Sequence, residues 1–487
     1  MLVLVGWLAA VSMSCATSQD EAVASNGGTS GSHDAGADAS QELGDAHQAP
    51  DGTWPEGQAP PDSSTRGTGG SGGSGTGGAG TGGTGGCTPQ CAGRECGPDQ
   101  CGGSCAPGCA ANQQCNPQGL CLDACTETWL SPVAHDVYGI ALQPAGDVYA
   151  VGSQGSDAWV GTLSTCNGSV KATSAVAVPG ASSTTGSAVA VVGSDVYIVG
   201  NTVTPTDPQN GMWARLSTGS LSLLWAQPLY GSSGVDELWG IAAPPNGSLW
   251  MAGASSTDTT STFWGVKGEP SGAACGFFAL PGQGAGRNVI ASGADVYMVG
   301  ALGTAAVVAR FDASSCSTSG PCPCNPVWQS QPLQVGASMS EARGIAIAGS
   351  SLYVSGFAQE TAGSTDYEAF VARVDINSGA IIGTWVSNPT AQIDALTDIA
   401  TDGQRLYASG LMGWDGSASF ASGTAVVVAL PFDISSATTM QWYTQIPSLD
   451  LAYRIALDTA AGGGVYLGGL GGSSGYVVRC TKAGVCP

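Results

Sequence analysis

Basic residues are scarce in this sequence. Only 13 Lys and Arg stand against 36 Asp and Glu in 487 residues, a net charge of −23. Nucleic-acid binding needs a basic footprint, and there is none here. Histidine occurs only as His33, His47 and His135. A Ser-His-Asp or Cys-His device would therefore have to use His135. No His/Cys cluster with transition-metal spacing stands outside a cysteine-dense stretch at 87–125. No Gly-rich loop ends in Gly-Lys-Ser or Gly-Lys-Thr, and no Asp-x-Asp-x-Asp-Gly loop occurs, which excludes a P-loop and an EF-hand. The apolar run at residues 2–11 is too short to span a bilayer.

What the sequence does contain is a repeat. Its clearest copy is Arg343-Gly-Ile-Ala-Ile-Ala-Gly-Ser-Ser-Leu-Tyr-Val-Ser-Gly356: an apolar strand, a small-residue turn, and a second apolar strand ending on Gly. The aromatic of the second strand recurs as Tyr149, Tyr197, Trp250, Tyr297, Tyr353, Tyr407 and Tyr466. Three residues later stand Gly152, Gly200, Gly253, Gly300, Gly356, Gly410 and Gly469. The aromatics are 48, 53, 47, 56, 54 and 59 residues apart, a period that marks propeller blades. A third strand follows each copy, as in Ala369-Phe-Val-Ala-Arg-Val-Asp375, and then a fourth with Trp225, Trp328, Trp385 or Trp442. Near-continuous apolar runs such as Val196-Tyr-Ile-Val199 fit strands buried on both faces. The expected fold is an all-β, seven-bladed β-propeller over 126–487. The last copy lacks a fourth strand, and an orphan strand begins the domain at 126–131. Pairing it with residues 476–480 would close the ring. A stack of unrelated sandwich domains is the alternative, and the regular period argues against it.

The segments ahead of the propeller carry an address. Residues 1–15 end in Ser12-Met-Ser-Cys15 and resemble a bacterial lipoprotein signal, with Cys15 as the lipidated residue. A plain secretory signal is the alternative; both export the chain. Residues 16–86 are a linker rich in Gly, Ser and acids, expected to be disordered. Residues 87–125 form a small module with nine cysteines. Export and the lack of His in it favour disulfides over zinc. If every cysteine after Cys15 pairs, at least one bridge joins module and propeller, with Cys125 at the seam as candidate. Lipobox, linker, Cys-rich run Cys96-Gly-Pro-Asp-Gln-Cys-Gly-Gly-Ser-Cys105 and blade repeat together resemble myxobacterial-type surface lipoproteins with a Cys-rich stalk. That resemblance implies an outer-membrane or cell-surface location.

Two recurrent positions bear on function. Arg215, Arg310, Arg373 and Arg479 fall at one place in the third strand and read as structural: stems packed on blades, heads paired to acids. Acids precede the first strand of five copies: Asp136, Asp236 with Glu237, Glu341, Asp394 and Asp450. They are expected at one channel mouth, where they could hold Ca2+, or else they simply solvate loops. Tyr138, Trp239, Arg343, Tyr453 and Arg454 lie beside them and suit a ligand site. The expected function is a non-catalytic surface binding or scaffold protein for an extracellular glycan, peptide or protein. The alternative is an exported hydrolase or lyase using carboxylates at the mouth, which needs a pair about 5–10 Å apart.

Overall fold

A computed structural model describes residues 90–99, parts of 101–123 and, short loop stretches aside, 128–487. The expectations for 1–15, Cys15 and 16–86 lie outside the described residues. Two compact units divide the chain, Gly44–Ala124 on one side and Met1–Leu43 with Cys125–Pro487 on the other.

In the first of these, the described part is a set of tight turns stapled by the Cys91–Cys105 disulfide. Cys96 and Cys101 are also disulfide-bonded. Asp99 organises the Cys-rich run: its Oδ1 accepts the backbone N–H groups of Cys101 and Gly103, both at 2.8 Å. That Asx-type turn supplies the order that so small a segment cannot obtain from an apolar core. A short hairpin, Gln113–Cys115 with Cys121–Asp123, follows.

The larger unit is all-β, and among the described residues it has no helix. Its strands run as antiparallel meanders with propeller-like order. The first is Gly139–Leu142, Val148–Gln154, Asp157–Leu163 and Val170–Val176, hydrogen-bonded in chain order. The second is Ser183–Val192, Asp195–Thr204, Asp207–Ser217 and Leu223–Leu229. The 19-residue strand Ala274–Ser292 joins two such meanders, pairing with Thr260–Gly268 through its first half and with Asp295–Leu302 through its second. Near the end, Leu451–Leu457, Gly464–Gly471 and Ser474–Thr481 take their fourth strand from Trp129–Val133. Val477 faces Ser131 and Arg479 faces Trp129 in that pair. This is the partnership expected between residues 126–131 and 476–480, with the early strand extending to Val133.

Burial explains the apolar runs. Second and third strands are buried almost throughout, as in Leu406–Trp414 and Thr424–Leu430. Fourth strands alternate or are exposed, as in Val170–Val176 and Ile381–Ser387. Sheets therefore stack on both faces of their middle strands, and the last strand is the most exposed to water. Each stack has its own core. Tyr149, Val160 and Val176 of the first meander pack with Ile198, Met212 and Leu216 of the second. Trp129, Tyr466 and Val477 share another core with Ile140, Val148 and Trp159, so the last meander packs on the first.

The repeat aromatics are all buried, none more than 3 % exposed. In five meanders the aromatic faces a basic residue across the ladder: Tyr197–Arg215, Trp250–Lys267, Tyr297–Arg310, Tyr353–Arg373 and Tyr466–Arg479. Arg215 and Arg310 then reach Asp195 and Asp295 at 2.9 Å. The structural reading holds for Arg215, Arg310 and Arg373, whose heads meet acids, and Arg215 and Arg479 lie over the rings of Tyr197 and Tyr466. A second disulfide, Cys480–Cys486, ties down the C-terminal turn, and Cys166 and Cys324 are disulfide-bonded as well.

Candidate functional site

In six meanders the first strand carries an irregularity at the same place. Ladder registers skip Ser187, Trp239, Arg287, Arg343, Thr397 and Tyr453. In the first meander the equivalent residue is Tyr138, just ahead of the strand Gly139–Leu142. A β-bulge turns the extra residue out of the pleat and re-aims its side chain. It also pushes a carbonyl toward the neighbouring strand. A Cβ on the repeat glycine would collide with the carbonyl oxygen two residues before the bulge, in all seven copies. For Gly152 that oxygen is on Asp136, for Gly253 on Glu237, for Gly356 on Glu341 and for Gly410 on Ala395. The repeat glycine is thus the steric condition for the bulge, and the bulge aims the side chain.

All seven aimed side chains line one pocket of about 290 Å³: Tyr138, Ser187, Trp239, Arg287, Arg343, Thr397 and Tyr453, with Thr185, Asn201 and Arg454. The five residues chosen from sequence, Tyr138, Trp239, Arg343, Tyr453 and Arg454, are therefore together. Ser187, Arg287 and Thr397 were missed. A signal existed: each aimed residue stands two positions before the Ile or Val of the first strand, as Arg287 does before Val289.

The pocket has an aromatic side and a cationic side. Tyr138 and Tyr453 meet edge to face at 5.2 Å. The Arg287 guanidinium lies 4.0 Å from the centroid of the Trp239 ring, a close cation–π contact. Arg287 Nε and Arg343 Nε approach the same oxygen of Glu341, at 2.5 and 2.6 Å. These are ion pairs by distance; neither N–H is aligned for a hydrogen bond. Arg454 Nη2 donates to the carbonyl of Trp239 at 2.5 Å, and its Nη1 lies 3.9 Å from Asp398.

Below this layer the pocket narrows. Asn288 Nδ2 donates to Asp398 Oδ1 at 3.2 Å, and Ile455 N donates to Asp398 Oδ2 at 3.1 Å. Elsewhere at this level the residues are small, because first strands nearly touch. A Cβ on Gly344 would lie 2.5 Å from Asp398 Cα, and one on Gly240 2.9 Å from Asn288 Cα. Beneath follow Ile140, Val189, Ile241, Val289, Ile345, Ile399 and Ile455, which line a second cavity of about 230 Å³ together with the polar group.

Protonation follows from this packing. Burial pushes the Glu341 carboxyl up, but Arg287 and Arg343 outweigh it and hold the net value below 4.5. Burial pulls the Arg343 guanidinium down to about 10; Glu341 opposes that pull, while Arg287 and Arg454 add to it. Tyr138 is pushed up to about 12 by burial and by Asp136, whose Oδ2 accepts its hydroxyl proton at 3.0 Å. Tyr453 is raised by burial and by Tyr138. Asp398 is raised by burial, with Arg454 pulling the other way.

The acids do not gather at the mouth. Two different repeat positions were merged in that expectation. Asp136, Glu237 and Glu341 stand two residues before the aimed side chain, whereas Asp236, Asp394 and Asp450 stand three before it. Adjacent strand residues point to opposite faces, so the two sets separate. Members of the first set brace the pocket wall: Glu237 takes 2.6 Å from Gln209 Nε2, Asp136 holds Tyr138, and Glu341 holds two arginines. Asp394 accepts Thr390 Oγ1 at 2.8 Å and Gly413 N at 2.9 Å, and Asp450 accepts Gly472 N at 2.7 Å. Asp236 is fully buried. None of the six lines the pocket, and among the described residues no three His, Cys, Asp or Glu form a metal-holding group. The expected Ca2+ site is not assembled from them.

No family model and no curated protein matches the chain. It is similar to a solved structure, a quinohemoprotein alcohol dehydrogenase from Pseudomonas putida, at 9 % identity, covering 74 % of this chain and 77 % of that one, with a TM-score of 0.45. That protein is described as a dehydrogenase, so the expectation of a non-catalytic scaffold finds no support there. A likeness this distant assigns none of that enzyme's chemistry to this chain.

Proposed function

We propose that residues 126–487 are a seven-bladed propeller closed by the N-terminal strand, and that its central mouth is a small-molecule binding site. The observation that carries this reading is the convergence on a single pocket of seven equivalent residues, six skipped in the ladders of first strands and Tyr138 just ahead of one. Closure is supported by the pairing of Trp129–Val133 with Ser474–Thr481 and by the core that Tyr466 shares with Ile140 and Trp159. At about 290 Å³ the pocket stands near the lower end of the roughly 300–1,000 Å³ of small-molecule sites. A compact ligand matches it better than a folded partner. Export and a lipid anchor at Cys15 complete the proposal, so the ligand would be met outside the cytoplasm.

Thermal melting of the full chain against a library of small metabolites tests the site. A true ligand stabilises only the folded state and raises the melting temperature. Hits should vanish in Ser187→Trp, which fills the mouth, while that variant alone melts like the wild type. Hits indifferent to Ser187→Trp sink the reading. An electron-microscopy reconstruction with six or eight blades would overturn the closed ring. Cys15→Ser should move the protein from membrane to soluble fractions; unchanged partitioning would rule out the anchor.

A further inference from the structure

The pocket lining contains three arginines and no carboxylate. This occurs in a chain with 13 basic residues and a net charge of −23. Nothing in the composition concentrates positive charge there; the fold does, by aiming Arg287 and Arg343 from equivalent bulges and Arg454 from the residue after one. Two guanidinium groups share the single carboxylate of Glu341 through their Nε edges. Glu237 lies near Arg287 too, but its carboxylate accepts Gln209 Nε2. Among the described residues the Nη groups of Arg287 and Arg343 have no hydrogen-bond partner. The Arg343 side chain is 36 % exposed. The Arg287 guanidinium sits over the Trp239 ring, 4.0 Å from its centroid.

A planar fork of donors is the geometry that a carboxylate satisfies in bidentate fashion. From behind the wall Glu341 meets only their Nε edges, through one oxygen. A second carboxylate from the pocket side would satisfy the remaining donors and balance the second charge. In the same lining stand Tyr138 and Tyr453, whose edge-to-face rings offer aromatic surface. We propose that the mouth takes a small organic carboxylate, with its head bridged by Arg287 and Arg343 and its body against Tyr138 and Tyr453. This inference rests on the mouth being a ligand site.

The test is calorimetric titration of the full chain at low salt with 4-hydroxybenzoate and D-glucuronate, each beside its neutral counterpart, 4-hydroxybenzamide and D-glucose. The carboxylates should bind at least about tenfold tighter than the neutral compounds. Arg343→Gln should lower carboxylate affinity by about tenfold or more. Because Arg343→Gln also disturbs Glu341, a second variant, Ser187→Glu, leaves the arginine pair intact and adds a repelling charge across the mouth. It should give the same loss without lowering the melting temperature. Equal binding of acid and neutral partner would overturn the carboxylate inference and leave the mouth as a site. No binding by any of the four also overturns the inference, and the Ser187→Trp screen then decides the mouth by itself.

Discussion

Gly410 lies so close to the carbonyl oxygen of Ala395 that no Cβ fits between them. The contact joins two strands of one meander at the point where the ladder between Leu396 and Asp398 skips Thr397. It recurs in every meander, so glycine and bulge form one device. Each copy turns one side chain from the sheet into the pocket, and the pocket's chemistry is whatever residue occupies that position.

Gly410→Ala should therefore destabilise the protein by about 1–3 kcal/mol, the usual range for forcing atoms into a packed site. Gly219, with nothing within 4 Å of a built Cβ, is the matched control. Its alanine variant should stay within about 0.5 kcal/mol of the wild type. Denaturant melts of both measure the difference. Equal small effects would mean that the ladder absorbs a side chain at the bulge without loss.

Much of this was legible in sequence because repeats print their constraints many times. The buried aromatic and its glycine appear in every copy, and each is required by packing at a fixed register. The pairing of the early strand with Ser474–Thr481 followed from counting strands per copy. The aimed position was harder to read, because its occupants share no chemistry: Ser187 and Thr397 look like loop residues beside Trp239 or Tyr453. What marks them is register alone. The acids misled for the opposite reason. Asp236 and Glu237 are adjacent in sequence yet point to opposite faces, and composition cannot separate them. The polar contacts of Asp398 with Asn288 and Arg454 cross 110 and 56 residues, a distance no local pattern spans.

Glu341 should govern the acid limb of stability. Its carboxyl is held below 4.5 in the folded state by Arg287 and Arg343. A depressed value means that the unfolded chain binds the proton more readily. The stabilising contribution is complete above 4.5 and is lost as pH falls through the depressed folded value. Glu341→Gln removes that loss and leaves two cations sharing no anion. The variant should be about 1–3 kcal/mol less stable at neutral pH, with a shallower decline on acidification. Melting curves across the acid range, wild type against variant, check both points.

Glu237 should act with the opposite sign. Burial raises its carboxyl above 4.5, against the pull of Arg287 and Gln209. Here the folded state holds the proton more readily, so stability falls as pH rises from 4.5 through the raised value. Glu237→Gln keeps a group able to bond Gln209 and carries no charge. Its melting temperature should gain on the wild type as pH rises through that window and match it below. A constant offset at every pH would show that the carboxyl titrates as it does in water.

The strongest test of the join between the chain's two ends is Trp129. It is 7 % exposed, its ring lies 6.0 Å from that of Tyr466, and its Nε1 donates to Thr165 O at 3.1 Å. Tyr466 and Thr165 belong to the last and first meanders, and the Tyr466 hydroxyl donates to that same carbonyl at 3.3 Å. One indole therefore packs at the contact between them. Trp129→Ala should cost about 3–5 kcal/mol, the range for truncating a large buried aromatic. Trp129→Phe keeps most of the packing, loses one hydrogen bond and should cost about 1–2 kcal/mol. If first and last meanders unfold together, each variant melts in one cooperative step at lower temperature. A biphasic melt, with an unshifted main transition and a small early loss, would show that the N-terminal strand is an appendage and that the remaining meanders stand without it.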